Sequence, residues 1–232
     1  MLVLGIETTT SRLGLALQRD DQALGELELD LGRKHCEKIL VGLDGLLSDL
    51  GVQVSELGGI AVSQGPGSFT GVRIGLAFAQ GLAVAGGLRV AGIPTLDAIA
   101  HGAALWQGPL VACLDARRGE VYFCAYKRVA DRAERLDGEV MVGSPERVAA
   151  HCAALGPRVL LVGGGAVQVR HAAGAEVVLA PVELGHPRAR VIAALGAERL
   201  GRGEGEEPEN VEPIYVRRSD AEIRRGAMAG RT

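Results

Sequence analysis

The chain contains few aromatic residues, with three Phe, three Tyr and one Trp in a length of 232. Its interior must therefore be filled by aliphatic side chains, and its 34 glycines allow layers of structure to approach one another closely. Both properties favour an α/β fold over an all-β sandwich. Hydrophobic residues make up 47% of the chain, and the net charge is −3. These values describe a globular protein of one large or two small domains.

Metal-binding and disulfide patterns are also lacking. The four cysteines contain no CxxC pair, and the five histidines contain no HExxH or HxxxH pair. Zinc sites and small disulfide frameworks depend on such spacings. We therefore expect reduced cysteines, isolated imidazoles and no metal site.

A basic excess, a leader segment and a long apolar run are missing as well. The arginines occur in scattered pairs within an acidic chain, whereas proteins that bind nucleic acid usually present a basic face. Charges and glycines interrupt every hydrophobic stretch before the ~18 residues that a membrane span needs, and no cleavable leader follows Met1. We expect a cytoplasmic protein that does not enter a membrane and does not bind tRNA by itself.

The first half of the chain predicts a three-stranded meander followed by alternating helices and strands. The predicted strands are 2–7, 13–18, 24–31, 58–63 and 89–93, and the predicted helices are 34–50, 71–85 and 95–106. This βββαβαβα order is that of a ribonuclease-H-like half-domain. We place the first lobe at residues 1–106.

The second half repeats this order in abbreviated form, which predicts a reduced second lobe at 107–186. Its predicted strands are 110–115, 120–127, 139–142, 158–162 and 176–179. Ser144, Pro145 and Glu146 begin a helix there, and a last helix is predicted at 187–200. The acidic, glycine-rich run 201–209 is expected to be a flexible surface connection. The tail EPIYVRRSDAEIRR regains a pattern and is expected to pack back on the body, within a final region of 187–232.

The segment SQGPGSFTGVRIG, residues 63–75, is a glycine-rich turn between a predicted strand and a predicted helix. Such turns present backbone N–H groups to an anion, although the same segment could be a tight structural corner. Four hydroxyls follow Glu7 in the first predicted hairpin, and by themselves they favour a turn that hydrogen-bonds its own backbone. The candidate phosphate contacts are Thr8, Thr9, Thr10, Gly65, Gly67, Ser68, Thr70, Arg117 and Arg118.

Two predicted helices have features typical of an interface. The helix at 34–50 carries two overlapping apolar stripes, whereas one buried face needs a single stripe. The helix at 71–85 contains Gly75 and Gly81 at a cost of ~1 kcal/mol each, which indicates that another backbone approaches there. Burial in the chain's own core is the alternative for both helices. The candidate partner contacts are Cys36, Ile39, Leu40, Leu43, Leu46, Leu47, Leu50, Val72, Gly75, Leu76, Ala79 and Ala83.

Several ordered blocks of the sequence resemble the TsaB family, also called YeaZ, of the bacterial tRNA threonylcarbamoyladenosine pathway. The blocks are LGIETTTSRLGLAL, KHCEKILVGLDGLL, GPGSFTGVRIGLAFAQGLA followed by GIPTLDAIA, LDARRGEVYFCAY, and PIYVRRSDAE. They cover most of the chain at matching separations. Such a set is far more specific than any single glycine loop.

The resemblance implies an actin-like or sugar-kinase-like α/β fold of two ribonuclease-H-like lobes, the second one reduced. It also implies a non-catalytic subunit that pairs with TsaD, which transfers the threonylcarbamoyl group to the adenosine beside the anticodon of tRNAs reading codons that begin with A. TsaE, an ATPase, joins the pair, and tRNA is bound only by the complex. Alone, the chain is expected to form a homodimer through the same helices. The resemblance implies that the chain has no cofactor of its own, and it leaves open whether the complex binds ATP.

The sequence departs from nucleotide-binding members of this fold at both hairpins. Their first phosphate hairpin starts with an Asp that helps to position a metal, whereas this chain has Glu7. The second hairpin carries Arg117 and Arg118, which could clamp a phosphate, pair with a partner or lie on a solvated surface. Gly163 to Gly165 resemble an adenosine-side turn, which is a weak signal by itself.

Three functions therefore compete. The first is an assembly subunit for TsaD, supported by the wide leucine stripe and the Gly/Ala helix. The second is a nucleotide hydrolase or kinase that uses the two glycine turns and the first hairpin. The third is a protease, which would need a nucleophile with a base and an orienting group. No such arrangement is evident around Ser63, Ser68 or Cys36, so protease ranks last.

Overall fold

The computed structural model describes residues 1–32, 35–103, 105–174 and 177–217. The first part of the chain contains β1 (Leu2–Glu7), β2 (Arg12–Arg19), β3 (Gln22–Asp30), α1 (His35–Leu50), β4 (Gly59–Ser63), α2 (Phe69–Gly86), β5 (Val90–Ile93) and α3 (Thr95–Gly102). The second part contains β6 (Leu110–Arg117), β7 (Glu120–Val129), β8 (Arg132–Arg135), β9 (Met141–Gly143), α4 (Pro145–Leu155), β10 (Val159–Val162), α5 (Ala166–Ala173), β11 (Val177–Leu179) and α6 (Ala189–Gly201).

Lobe 1 is built on a five-stranded sheet in the order β3-β2-β1-β4-β5. The first three strands form an antiparallel meander, while β4 and β5 run parallel to β1. Alternate residues of β1 face opposite sides of the sheet: Leu4 and Ile6 pack with α1 and α2, and Val3 packs with α6. The sheet is therefore buried on both faces, as parallel strands require.

Helix α6 lies unusually close to the lobe 1 sheet because glycines stand at the contact. A Cβ on Gly5 of β1 would overlap the carbonyl oxygen of Ala189, and a Cβ on Gly196 of α6 would overlap the side chain of Ala61. Both contacts leave no room for even one added carbon. The scarcity of aromatic residues and the abundance of glycine thus have a structural reason here.

Lobe 2 repeats the strand order of lobe 1. Its sheet runs β11-β10-β6-β7-β8, and β9 pairs with the N-terminal part of β7, at Val121–Phe123. β6 and β7 form an antiparallel hairpin, and β10 runs parallel to β6. Helices α4 and α5 cover one face, and α3 covers the other. Helices α4 and α5 and strands β8, β10 and β11 are shorter than their counterparts in lobe 1, whereas β6 and β7 are longer than β1 and β2.

Helix α3 joins the two lobes. Leu96, Ile99 and Ala100 pack in one cluster with β6, β7 and β10, on the lobe 2 sheet. Asp97 accepts hydrogen bonds from Tyr126 Oη and Arg135 Nε, each at 2.7 Å. Ala98 on the same helix packs in a cluster with β1, β4, β5 and α6, so α3 contacts both lobes, and the boundary at residue 106 stays a prediction.

Other differences from the predicted elements occur in both halves. β8 and α5 were not predicted, and β9, predicted as a strand at 139–142, pairs with β7 outside the main sheet order. Helix α3 ends at Gly102 instead of continuing to 106. The predicted helix start at Lys34 and part of the predicted strand at 176–179 lie outside the described residues.

The segment 201–209 is ordered, which corrects the expectation of a flexible connection. Glu206 and Val90 exchange backbone hydrogen bonds in an antiparallel bridge, at 2.8 and 3.0 Å. A short 3-10 helix follows at Pro208–Asn210, and Pro208 is buried. The expectation that the tail packs back on the body is confirmed as far as residue 217.

Candidate functional site

The glycine-rich turn packs directly against the β1–β2 hairpin. Ser68 N is hydrogen-bonded to the carbonyl oxygen of Thr9 at 2.7 Å. A Cβ on Gly67 would lie 2.5 Å from that same oxygen, and a Cβ on Gly71 would overlap the carbonyl oxygen of Thr8. These glycines are therefore needed so that one stretch of backbone can touch another. The turn is a closed corner.

Most side chains of this corner are hydrogen-bonded to one another or to nearby backbone. Thr8 Oγ1 donates to the Gly71 carbonyl at 2.8 Å, while the amide and the hydroxyl of Thr9 both donate to Glu7 Oε1 at 2.6 Å. Thr8 and Thr9 are buried. Ser68 accepts from the Gly71 amide and caps α2, so the local sequence builds a helix start rather than a free anion cradle.

These contacts correct the assignment of Thr8 and Thr9 as candidate phosphate contacts. Both hydroxyls donate within the chain, whereas Ser68 donates only its amide, to the Thr9 carbonyl, and its exposed hydroxyl accepts from the Gly71 amide. Thr10 Oγ1 accepts from the Arg12 amide at 3.3 Å, and Thr70 is exposed on α2. Thr8 and Thr9 therefore offer no hydroxyl donor to a nucleotide phosphate.

Glu7 is the one buried acid of the corner. Its side chain is 1% exposed, and Oε2 has no hydrogen-bond partner among the described residues. Burial raises the pKa of Glu7 to about 7, against the lowering effect of the Ser63 and Thr9 hydroxyls and of backbone amides. A carboxyl in this position carries part of a proton at neutral pH.

The β6–β7 hairpin occupies the matching place in lobe 2. Arg117 and Arg118 adopt positive φ angles of 65° and 57° in the turn. Asp115 Oδ1 accepts from the Arg117 amide at 2.8 Å, and the Arg117 guanidinium lies 3.4 Å from Asp115 Oδ2 with 83% of its side chain exposed. Gly163 and Gly165, which follow β10, pack on Cys113 and Leu114 of the adjoining strand β6. The second glycine turn is therefore closed against a neighbouring strand as well.

Most candidate partner contacts on α1 and α2 face the lobe 1 sheet. Their side chains are almost completely buried in the chain's own core, so direct contact with a partner is the wrong assignment for them. The residues concerned are Ile39, Leu43, Leu47, Val72, Gly75, Leu76, Ala79 and Ala83. Gly75 is small because Thr8 Oγ1 lies against it. Of the other four, Cys36 and Leu40 are exposed, and Leu46 and Leu50 pack at the edge of the core.

The outer side of α2 is an apolar surface, and α1 beside it adds exposed Leu40 and Val41 among its exposed charged residues Glu37, Lys38, Asp44 and Asp49. The two helices pack side by side on the same face of the sheet, and α2 carries one charge, Arg73, in 18 residues. No described atom lies within 4 Å of the position of a Cβ on Gly81, so that glycine faces open space. We call this surface the α1/α2 face and define it by Leu40, Val41, Ala77, Phe78, Gly81, Leu82 and Val84.

Helix α2 corrects the expectation that no apolar run is long enough for a membrane span. By length and composition it passes that test, with a mean hydropathy of 1.3 over 18 residues. The core helix of a globular domain passes the same test. A third of α2 is buried, on the sheet of lobe 1, and its outer side is apolar and exposed.

Among the described residues, no group of three or more His, Cys, Asp or Glu side chains is placed to hold a metal ion. A cavity of about 250 Å³ lies between α3, β8 and α6, lined by Asp97, Arg132, Glu198, Arg199 and Arg202 among others. Arg132 pairs with Glu198 at 2.7 Å, and Arg202 pairs with Glu204. The arginines at this cavity are thus already paired with carboxylates.

Comparison with known proteins identifies the family. A family model described as "TsaD: tRNA N6-adenosine threonylcarbamoyltransferase" matches residues 30–225. The tRNA threonylcarbamoyladenosine biosynthesis protein TsaB of Escherichia coli (strain K12) is 33% identical over 225 residues, covering 95% of this chain and 96% of that protein. The chain belongs to the TsaB family. A TsaB protein of Bacillus subtilis (strain 168) is also 33% identical, over 55% of this chain and 56% of its own length.

Solved structures agree with the TsaB assignment. YeaZ from Pseudomonas aeruginosa superposes with a TM-score of 0.81 at 30% identity, covering 92% of this chain and 99% of that one. The activator of the 2-hydroxyisocaproyl-CoA dehydratase from Clostridium difficile, solved with bound ADPNP, gives a TM-score of 0.53 at 10% identity, covering 93% and 100%. The second likeness extends to the fold alone. The actin-like fold expected from the sequence is confirmed.

The structure explains what the TsaB sequence blocks do locally and what they concealed. The block around residues 63–75 forms the closed corner, and the leucine stripes of α1 lie mostly on the inner side of that helix, with Leu40 outside. The near absence of charge on every side of α2 predicts a helix that is covered all round, whereas its outer side is exposed. The contacts of the terminal block with both lobes had no signal in the sequence beyond the return of an apolar pattern.

Proposed function

We propose that this chain acts in tRNA threonylcarbamoyladenosine biosynthesis as the non-catalytic subunit that pairs with TsaD. It would support transfer of the threonylcarbamoyl group to the adenosine beside the anticodon of tRNAs that read codons beginning with A. The names of its relatives support the pathway. The observation that carries the partner role is the apolar α1/α2 face.

An exposed helix with so few charges lowers its free energy when another protein covers it. Val84 is 70% exposed and Leu40 is 65% exposed, so both are free to enter a partner's surface. In this proposal TsaD covers the α1/α2 face in the complex, and a second copy of the chain covers it when TsaD is absent. TsaE joins through the assembled pair, tRNA binds only to the complex, and the site of action is the cytoplasm.

Nucleotide hydrolysis by this chain is the second candidate, since its fold resembles that of a protein solved with bound ADPNP. The closed corner argues against it, because Thr8 and Thr9 donate their hydroxyls within the chain. We propose that the chain has no cofactor of its own and that any ATP is held by the complex. The purified chain should show negligible ATP turnover, and robust turnover without TsaD binding would support the alternative.

The decisive experiment uses two matched substitutions on exposed valines. Val84→Glu places a charge on the α1/α2 face, and Val182→Glu places one at a 73% exposed position of lobe 2. Neither side chain is in the core, so both variants should fold, as circular dichroism can verify. We expect Val84→Glu to weaken TsaD binding by about tenfold or more, and Val182→Glu to leave it unchanged.

Size-exclusion chromatography with light scattering measures the binding to TsaD and the mass of the chain alone. Loss of both the heterodimer and the homodimer in Val84→Glu would support one shared face. Full TsaD binding by a folded Val84→Glu variant would sink the proposed interface. Equal losses in both variants would mean that the charge, and not its place, matters.

A further inference from the structure

The chain after α6 runs along the edge of lobe 1 as an anchored segment. Glu206 is bridged to Val90 of β5, and Val211 is 1% exposed in the core beneath α2. Gln80 of α2 donates to the Val211 carbonyl at 3.2 Å. This part of the tail is therefore held by backbone pairing and by burial together.

The next residues cross the glycine-rich turn. The Ile214 amide donates to the carbonyl of Gln64 at 2.7 Å, and a Cβ on Gly65 would lie 2.9 Å from the Ile214 carbonyl. Tyr215 then stacks on Phe69 with ring centroids 5.3 Å apart and accepts a hydrogen bond from Arg73 Nε at 2.9 Å. The tail is thus fixed to the first turn of α2.

At Arg217 the tail reaches lobe 2. Its guanidinium donates to Glu120 Oε2 at 2.7 Å and to the Ala116 carbonyl at 3.3 Å. Both acceptors belong to the β6–β7 hairpin, and the Arg217 side chain is 23% exposed. Two acceptors on one hairpin give a planar guanidinium a defined orientation.

We infer that residues 206–217 form an inter-lobe strap that limits opening between the lobes, with Arg217 as its latch on the β6–β7 hairpin. On another side, the lobes meet where α3, β8 and α6 surround the 250 Å³ cavity and where Arg132 pairs with Glu198. That junction acts as the hinge. The strap ties lobe 2 to the first turn of α2, so the position of the hairpin is communicated to Phe69 and Arg73.

The strap is independent of the proposed partner and can be tested on the isolated chain. Spin labels at exposed Ser11 in lobe 1 and exposed Asp131 in lobe 2, in a Cys36→Ser background, report the distance between the lobes. We expect Arg217→Ala to broaden the distance distribution and raise the opened fraction about fivefold. The exchange rate of the Ile214 amide should rise by a similar factor. Arg19→Ala, which removes a pairing with Glu56 inside lobe 1, should change neither measurement.

A reciprocal set of variants guards against a simple loss of folding. Glu120→Ala should reproduce the effect of Arg217→Ala, and the double variant should open no further than either single one. The swap of Arg217→Glu with Glu120→Arg should recover part of the closure. An unchanged distance distribution in a folded Arg217→Ala variant, or fully additive opening by the two alanine variants, would overturn the strap.

Discussion

The two lobes share one strand order but differ in what lies at the same corner. In lobe 1 the carboxyl end of β1 carries buried Glu7, and in lobe 2 the end of β6 carries the partly exposed Asp115. Both corners are closed by a glycine turn that touches the adjoining strand. The lobes thus keep the framework of a nucleotide-binding fold while filling the space in which lobe 1 would hold a phosphate.

The outer helices differ more than the sheets. In lobe 1, α1 and α2 have 16 and 18 residues, whereas α4 and α5 of lobe 2 have 11 and 8. The long helices of lobe 1 combine a packed inner side with the apolar α1/α2 face. The proposed interface therefore lies on the longer pair of outer helices.

The largest expected effect tests the inner against the outer side of α1. Leu43 is 2% exposed and Leu40 is 65% exposed. We expect Leu43→Ala to lower the free energy of unfolding by about 3–4 kcal/mol, because it leaves a cavity in the core. Leu40→Ala should change it by less than about 0.5 kcal/mol. Urea denaturation measures both, and equal losses would mean that the two sides of the helix are not distinct.

The next effect tests the acid at the lobe 1 corner. The pKa of Glu7 in the folded chain is about 7, above its ordinary value of 4.5. Its stabilising contribution is therefore fully present below about pH 4.5 and is lost as the pH rises through about 7. Glu7→Gln removes that loss, so the variant should exceed the parent in stability by about 3 kcal/mol at pH 8.

At pH 4 the Glu7→Gln variant and the parent should be nearly equal. Denaturation between pH 4 and pH 8 supplies the measurement, with Asp115→Asn as the control because that carboxylate is open to solvent in part. A constant difference between Glu7→Gln and the parent at every pH would contradict a raised pKa.

A third, smaller effect tests whether the two corners are equivalent. Gly71→Ala in lobe 1 and Gly163→Ala in lobe 2 each force a Cβ against a carbonyl oxygen, and Gly163 also has a φ of +110°. We expect each to lower the free energy of unfolding by about 2 kcal/mol. Gly81→Ala, which faces open space within α2, should instead raise it by about 0.5–1 kcal/mol. If only one of these two variants lowers the free energy of unfolding, the glycine turns of the two lobes are not equivalent.

The smallest effect concerns the helix that joins the lobes. Tyr126→Phe deletes the hydroxyl that donates to Asp97 of α3 at 2.7 Å. This loss should lower the free energy of unfolding, measured by thermal denaturation, by about 1 kcal/mol. Val129→Ala, at a 38% exposed position of the same strand, is the control for a substitution in β7 that does not touch α3. If Tyr126→Phe lowers the free energy of unfolding no more than Val129→Ala does, the hydrogen bond to α3 does not contribute to the stability of lobe 2.

Much of lobe 1 could be predicted because its signals are local. The alternation in β1 and β2 and the stripe of α1 are set by which residues meet the core. The direction of that stripe could not be read, since Leu40 and Leu43 look alike in sequence and only the sheet decides which one is buried. The closed corner was also hidden, because the glycines that cradle a phosphate are the same glycines that let Gly71 touch Thr8. β8 and α5 escaped prediction because short, polar elements gain their stability from tertiary contacts.

The close seating of α6 on the lobe 1 sheet has a consequence for how such a sequence can vary. At Gly5 and Gly196, α6 lies so close to the sheet that an added methyl group would overlap the opposite layer. Neither position can therefore accept a larger side chain while its neighbour stays in place. Substitution at Gly196 would need Ala61 to become glycine at the same time, whereas at Gly5 the obstacle is the backbone carbonyl oxygen of Ala189, which no substitution of Ala189 removes. In an alignment of relatives, we expect these positions to change together with the residues they contact or not to change. Substitutions meant to stabilise this core by filling a cavity should find no cavity at this contact.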